Sequence, residues 1–154
     1  MSYLKAKHLS ELMLSKQFTI ALAESCTGGS LSSSLTSIAG ASSYFNCGFI
    51  TYSNESKVSM LGVDPKTIEL FGAVSEKVAL EMAFGAGAKS NSNLSIAVTE
   101  IAGPSGSTAE NPVRLVCSGD VINGSVEWTT QFVSGSRSEI VSERVAALFD
   151  AVAT

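Results

Sequence analysis

Histidine is almost missing from this chain. The single one, His8, stands in the N-terminal segment, away from every loop with candidate chemistry. Its position removes a Ser-His-Asp triad and most metal-hydrolase sites from consideration. Cysteine is also sparse: Cys26, Cys47 and Cys117 are odd in number and far apart. With no Cys-x-x-Cys or Cys/His ligand spacing, neither a disulfide framework nor a zinc site is supported, and no metal is expected. No apolar run reaches the roughly 20 residues needed to cross a bilayer. Between Met1 and Ser15 there is no central apolar block of the signal-peptide kind. Free thiols without an export signal fit a reducing cytosol. Basic runs are absent too; with a formal charge of −4 and a pI near 4.9, nucleic acid is not an expected partner.

What remains is a globular composition, 45% apolar and 16% charged over 154 residues, which suits one domain spanning 1–154. Helical and strand periodicities alternate along it. An amphipathic helix is expected first, with Leu4, His8, Leu9 and Leu12 on one face. A strand at Phe18–Ala23 follows, then a helix from Thr27 to Ile38, broken at Gly40. Phe49–Tyr52 reads as a second strand, and Asn54 as the cap of a short helix. Asp64-Pro65 starts another helix, with proline at its first position, ending near Phe71-Gly72. A further helix opens at Ser75, and Leu94–Thr99 reads as a strand. A Gly/Pro/Ser-rich loop covers Ile101 to Pro112. Val113–Ser118 and Ser125–Val133 form a hairpin around Asn123-Gly124, a favoured two-residue turn. A last helix runs from Ser136 to Ala153. The expectation is an α/β domain with a mixed β-sheet covered on both faces. Ligands of such sheets bind beyond the carboxyl ends of strands, which brings Glu24–Gly29, Tyr52–Lys57 and Thr99–Gly106 together at one edge.

The richest stretch is Ala23-Glu24-Ser25-Cys26-Thr27-Gly28-Gly29, where a strand hands over to a helix. Unpaired N–H groups at a helix start attract anions, and a nucleophile on a strand-to-helix turn is a known catalytic arrangement. The plainer reading is that Ser25 or Thr27 caps the helix. Without a usable histidine, a hydrolase here needs another base. Lys57 is the best placed, because a partly desolvated lysine can lose its proton near neutral pH and activate a serine. Its plainer reading is a solvated helix lysine. Gly103-Pro104-Ser105-Gly106 offers backbone N–H groups to a phosphate, but it lacks both P-loop and dinucleotide-fold spacing.

Taken together, several blocks resemble the CinA C-terminal-domain family, the nicotinamide-nucleotide amidases. They are Ala23–Gly29, Gly40-Ala41-Ser42-Ser43-Tyr44-Phe45, Tyr52-Ser53-Asn54-Glu55-Ser56-Lys57, Leu61-Gly62-Val63, Gly72-Ala73-Val74-Ser75-Glu76 and Ile101-Ala102-Gly103-Pro104-Ser105-Gly106. The resemblance implies a three-layer α/β/α sandwich, a tendency to dimerise, and a chain without the larger N-terminal domain often fused to this module. It also implies hydrolysis of nicotinamide mononucleotide to the nicotinic acid nucleotide and ammonia, by a metal-independent serine–lysine mechanism without cofactors. Carried onto these residues, Ser25 is the favoured nucleophile and Ser42 its rival. Lys57 takes the proton and Tyr52 orients or shares it. The N–H groups of Thr27, Gly28 and Gly29 hold the oxyanion. Gly103, Pro104, Ser105 and Gly106 bind the phosphate, and Glu24 contacts ribose hydroxyls or fixes Lys57.

Two positions depart from the family pattern: Glu100 and Arg114 stand where glycines are usual. A carboxylate 4 Å from a phosphate costs about 1–4 kcal/mol between the water and near-surface dielectric limits. Arg114 pairing with Glu100 would cancel that charge; alternatively, both side chains point to solvent. The competing expectations are a nucleotide-binding paralogue that has lost turnover and a purely structural module.

Overall fold

In a computed structural model of the chain, residues 3–100 and 115–133 are described. Five strands form one sheet in the order β2-β1-β3-β4-β5. They are β1 (Ile20–Glu24), β2 (Phe45–Ile50), β3 (Leu94–Glu100), β4 (Leu115–Ile122) and β5 (Ser125–Val133). β1 runs parallel to both β2 and β3, while β4 and β5 are antiparallel, so the sheet is mixed. Helices α1 (Tyr3–Lys16) and α2 (Ser30–Thr36) cover one face. On the other lie α3 (Asn54–Leu61), α4 (Pro65–Phe71) and α5 (Glu76–Ser90). This is the expected three-layer α/β/α sandwich.

Strand alternation makes the two faces unequal. Ile20 and Leu22 of β1, with Leu94, Ile96 and Val98 of β3, pack against α1 and α2. Between them, Ala21, Ala23 and Ala97 turn small side chains to the opposite face, where α5 comes close. A Cβ on Gly119 would stand 2.8 Å from the Ala79 backbone, and one on Gly85 would run into the Leu61 carbonyl. Those two glycines set how near α5 lies to the sheet and α3 to α5, and α3 carries Lys57.

Several element boundaries differ from the sequence expectation. α1 buries Ala6, Leu9, Ser10 and Met13, while Leu4 is 67% exposed and His8 lies on the exposed flank. Leu9 and Leu12 of the expected face do pack against the core, and the buried stripe extends from them to Ala6, Ser10 and Met13 rather than to Leu4 and His8. β2 is longer than Phe49–Tyr52 and begins at Phe45, because it is an edge strand: Phe45, Cys47 and Phe49 are half-buried and Asn46, Gly48 and Ile50 exposed. Such an edge tolerates the asparagine and glycine that obscure the pattern. α2 starts at Ser30 rather than Thr27, since Gly28 and Gly29 adopt left-handed φ values of 61° and 102°. Ser53, not Asn54, caps α3 by accepting the Ser56 N–H at 3.1 Å. Asp64-Pro65 does start α4, and Asn123 (φ 50°) and Gly124 (φ 80°) form the hairpin turn. The expected last helix and the 101–112 loop lie outside the described residues.

Candidate active site

β1 ends at Glu24, and Ser25 follows with its N–H donated to the Val98 carbonyl at 3.2 Å. One strand over, the Thr51 N–H extends the β1–β2 pairing by donating to the Glu24 carbonyl at 2.8 Å. Ser25 and Thr51 therefore sit beside each other at the carboxyl edge of the sheet, both buried. The Ser53 cap then turns the chain into α3, and one turn along it Lys57 reaches back toward the sheet edge.

Lys57 is 1% exposed. Its Nζ donates to the Thr51 carbonyl at 2.8 Å, the Tyr52 carbonyl at 3.2 Å and Ser25 Oγ at 3.1 Å. All three partners are uncharged oxygens. Burial holds the Lys57 pKa below its ordinary 10.5, opposed in part by the neighbouring Cys26 thiol. A neutral amine has two hydrogens and one lone pair. With both hydrogens on the carbonyls, the lone pair of that neutral form would face the Ser25 hydroxyl, so the arrangement can take a proton from Ser25 without moving the other two contacts.

Glu24 has a different role from the ones expected. One oxygen accepts the Thr27 hydroxyl at 2.8 Å and the Leu31 N–H at 2.9 Å; the other accepts the Ser32 N–H at 3.0 Å and the Ser32 hydroxyl at 2.6 Å. The carboxylate thus occupies the N-terminus of α2, where a helix favours negative charge. The helix start is filled from within the chain rather than open to an anion. Lys57, for its part, is fixed by carbonyls and not by Glu24. Tyr52 meets Lys57 through its backbone: its carbonyl accepts from Nζ, while its side chain is 66% exposed.

Neither Ser25 nor Thr27 caps α2, whose Ncap is Gly29. Within the turn, the Gly28 N–H donates to the Ser25 carbonyl at 3.0 Å. The N–H groups of Thr27 and Gly29 make no hydrogen bond among the described residues, so they are the donors available to an oxyanion. Ser42 sits in a 3-10 turn (Ala41–Ser43) before β2, exposed, at the amino edge of the sheet. A six-residue strand separates that edge from the carboxyl edge, about 16–20 Å. Ser42 is not brought to Lys57. Glu100, at the end of β3, is 4% exposed and so does not point to solvent; its carbonyl accepts the Cys26 thiol at 3.0 Å. Gly103, Pro104, Ser105, Gly106 and Arg114 lie outside the described residues.

Among the described residues, no three His, Cys, Asp or Glu side chains converge as a metal site, and no helix is long and apolar enough to cross a membrane. A cleft of about 400 Å³ opens between the end of α5 and the β4–β5 hairpin, at the opposite end of the sheet. Among the described residues its lining, including Phe84, Asn91, Asn93 and Asn123, holds no ionisable group. Two features of the site escaped sequence reading: the Thr51 carbonyl that anchors Lys57, and Ser32, which completes the Glu24 clamp. The only signal for Ser32 is its place in the first turn of a helix that follows a buried acid.

The model of the CinA C-terminal domain matches residues 3–154. A CinA-like protein of Chlorobaculum tepidum is 55% identical over 108 residues, covering 70% of this chain and 26% of its own length. One from Fervidobacterium nodosum is 44% identical over 140 residues, covering 91% and 34%. The chain thus spans about a quarter to a third of these curated relatives. Among solved structures, the competence damage-inducible protein A of Klebsiella pneumoniae matches with a TM-score of 0.90 at 29% identity, covering 98% of this chain and 96% of that one. A competence/damage inducible protein of Agrobacterium tumefaciens matches at 0.84 with 40% identity, covering 97% and 90%.

Proposed function

Because the chain belongs to the CinA C-terminal-domain family, we propose that it is a serine–lysine amidohydrolase acting on the carboxamide of nicotinamide mononucleotide. The observation that carries this reading is the hydrogen bond between buried Lys57 and buried Ser25, with Lys57 caged by uncharged oxygens. Ser25 Oγ attacks the amide carbon as its proton passes to Lys57 Nζ. The N–H groups of Thr27 and Gly29 receive the oxyanion. Lys57 passes the proton to the nitrogen as the C–N bond breaks, releasing ammonia and leaving an acyl group on Ser25. Water then attacks that acyl carbon, giving its proton to Lys57, and the proton returns to Ser25 Oγ as the acid departs. The Gly103-Pro104-Ser105-Gly106 segment is assigned to the nucleotide's phosphate on the family resemblance of its sequence.

Hydroxylamine tests the acyl-enzyme directly, since it competes with water for an acyl group on Ser25. The expected product is the hydroxamate of the nicotinic acid nucleotide, formed by the native chain and not by Ser25→Ala. Acid product without hydroxamate, at a rate indifferent to Ser25, would remove the covalent route.

One observation favours a second reading. Glu100 is buried at the carboxyl edge, one strand from Ser25 and in contact with Cys26 through its carbonyl. A carboxylate there suits a nucleotide-binding paralogue with impaired turnover. That reading predicts nucleotide binding without ammonia release, and release on Glu100→Gly; full activity in the native chain sets it aside.

A further inference from the structure

Thr51 is fully buried beside Ser25, yet its Oγ1 has no hydrogen-bond partner among the described residues. A buried hydroxyl left unsatisfied is a cost that native structures rarely carry without a reason. Its location supplies one. The Thr51 N–H is bonded to the Glu24 carbonyl, and its own carbonyl to Lys57 Nζ. Strand alternation puts its side chain on the face shared by Cys47, Phe49 and the Ala21–Ala23–Ser25 row. Neighbouring strands are about 4.8 Å apart, so the hydroxyl stands one strand spacing from the Ser25 side chain, on the β2 side.

A primary carboxamide presents two ends of similar shape and opposite polarity: an oxygen that accepts and an NH2 that donates. Productive attack needs the oxygen at the oxyanion donors and the nitrogen toward Lys57. The free N–H groups of Thr27 and Gly29 lie on the turn that leads to α2. On the Lys57 side, the Thr51 and Tyr52 carbonyls are already engaged. Among the described residues, Thr51 Oγ1 is the oxygen there that carries no hydrogen bond. Resting on the serine–lysine reading above, we propose that Thr51 Oγ1 accepts a hydrogen bond from the scissile carboxamide NH2. It thereby orients the leaving nitrogen toward Lys57 and favours the amide over its acid product, which has no such donor. No proton is transferred through Thr51, and Lys57 remains the acid and base.

The test uses an inert background and two nucleotides. In Ser25→Ala, the affinities of nicotinamide mononucleotide and nicotinic acid mononucleotide are measured by calorimetry, then remeasured with Thr51→Val and Thr51→Ser added. Thr51→Val is expected to weaken the amide nucleotide about tenfold and leave the acid nucleotide unchanged. Thr51→Ser, which keeps the hydroxyl, should restore the preference. Thermal unfolding separates this from a structural role: valine in place of an unsatisfied buried hydroxyl should leave Tm unchanged or raised. Equal loss for both nucleotides, no loss for either, or a lowered Tm accompanying the loss would overturn the assignment. Turnover by the otherwise native chain is assayed in parallel. If that chain releases no ammonia, the hydrolase reading fails, while the amide-to-acid ratio still decides Thr51. Absence of binding by either nucleotide overturns both.

Discussion

Lys57 Nζ lies 3.1 Å from Ser25 Oγ, although 32 residues of sequence separate them. The contact joins the carboxyl edge of a parallel strand to the first turns of the helix after its neighbour. Ser42, the rival serine, lies at the opposite edge of the sheet. Ser25→Ala should lower kcat/KM by at least about 10³-fold. Ser42→Ala, at the opposite edge, should stay within about threefold of the native value. Steady-state rates on the two variants measure this, and a reversed order would transfer the nucleophile to Ser42.

The pH dependence follows from the burial of Lys57. Its pKa is lowered, so the neutral amine, which is the form that accepts a proton, persists further down the pH scale. The rate should therefore rise with pH to a plateau, with an inflection below 10.5, the ordinary lysine value. Lys57→Arg should abolish activity at every pH, since a guanidinium does not deprotonate in proteins. A pH–rate profile of kcat/KM for both proteins provides the check; a flat profile, or an active arginine variant, would argue against lysine as the base.

Glu24 shows where sequence reading stops. A carboxylate at a strand end before a glycine turn looks the same whether it binds a ligand, fixes a lysine or caps a helix; only the fold reveals its four hydrogen bonds to Thr27, Leu31 and Ser32. Tyr52 is similar: a motif names a side chain, while the atom in contact with Lys57 is its carbonyl. The α/β alternation, the Asp64-Pro65 helix start and the Asn123-Gly124 turn were legible. Each of those rests on a local rule with a distinct residue signature. The buried face of α1 was legible only at Leu9 and Leu12, since two overlapping apolar spacings fit one helix and the sheet beneath decides between them.

Removing the Glu24 carboxylate strands the N–H groups of Leu31 and Ser32 at a buried helix start. Glu24→Ala should cost about 2–5 kcal/mol of stability. Urea unfolding measures this, and a loss under about 1 kcal/mol would mean that water replaces the clamp at little cost.

Gly85→Ala tests whether helix approach matters to the site, because its Cβ would run into the Leu61 carbonyl of α3. Overpacking of this kind costs about 1–3 kcal/mol or more. It should also reduce turnover, since displaced α3 carries Lys57 away from Ser25. A destabilised variant with native kcat would show that α3 holds its position without close contact to α5.

Two of the three thiols should separate by environment. Cys117 is fully buried, and burial with the nearby Glu76 carboxylate pushes its pKa up to about 12, so it should resist alkylation in the native protein. Cys26 is half-buried next to Ser25. Alkylation there should stop turnover, and bound nucleotide should protect it. Peptide mapping after iodoacetamide treatment, with residual activity alongside, gives the answer; full activity with Cys26 alkylated would place the substrate away from this turn.

Ammonia release from nicotinamide mononucleotide, compared between the native chain and a folded Lys57→Ala variant, tests the central claim most directly. Release by the native chain and its disappearance in the variant are expected, with both proteins giving the same circular dichroism spectrum. Equal release by the two, or no release from a native chain that binds the nucleotide, would contradict it.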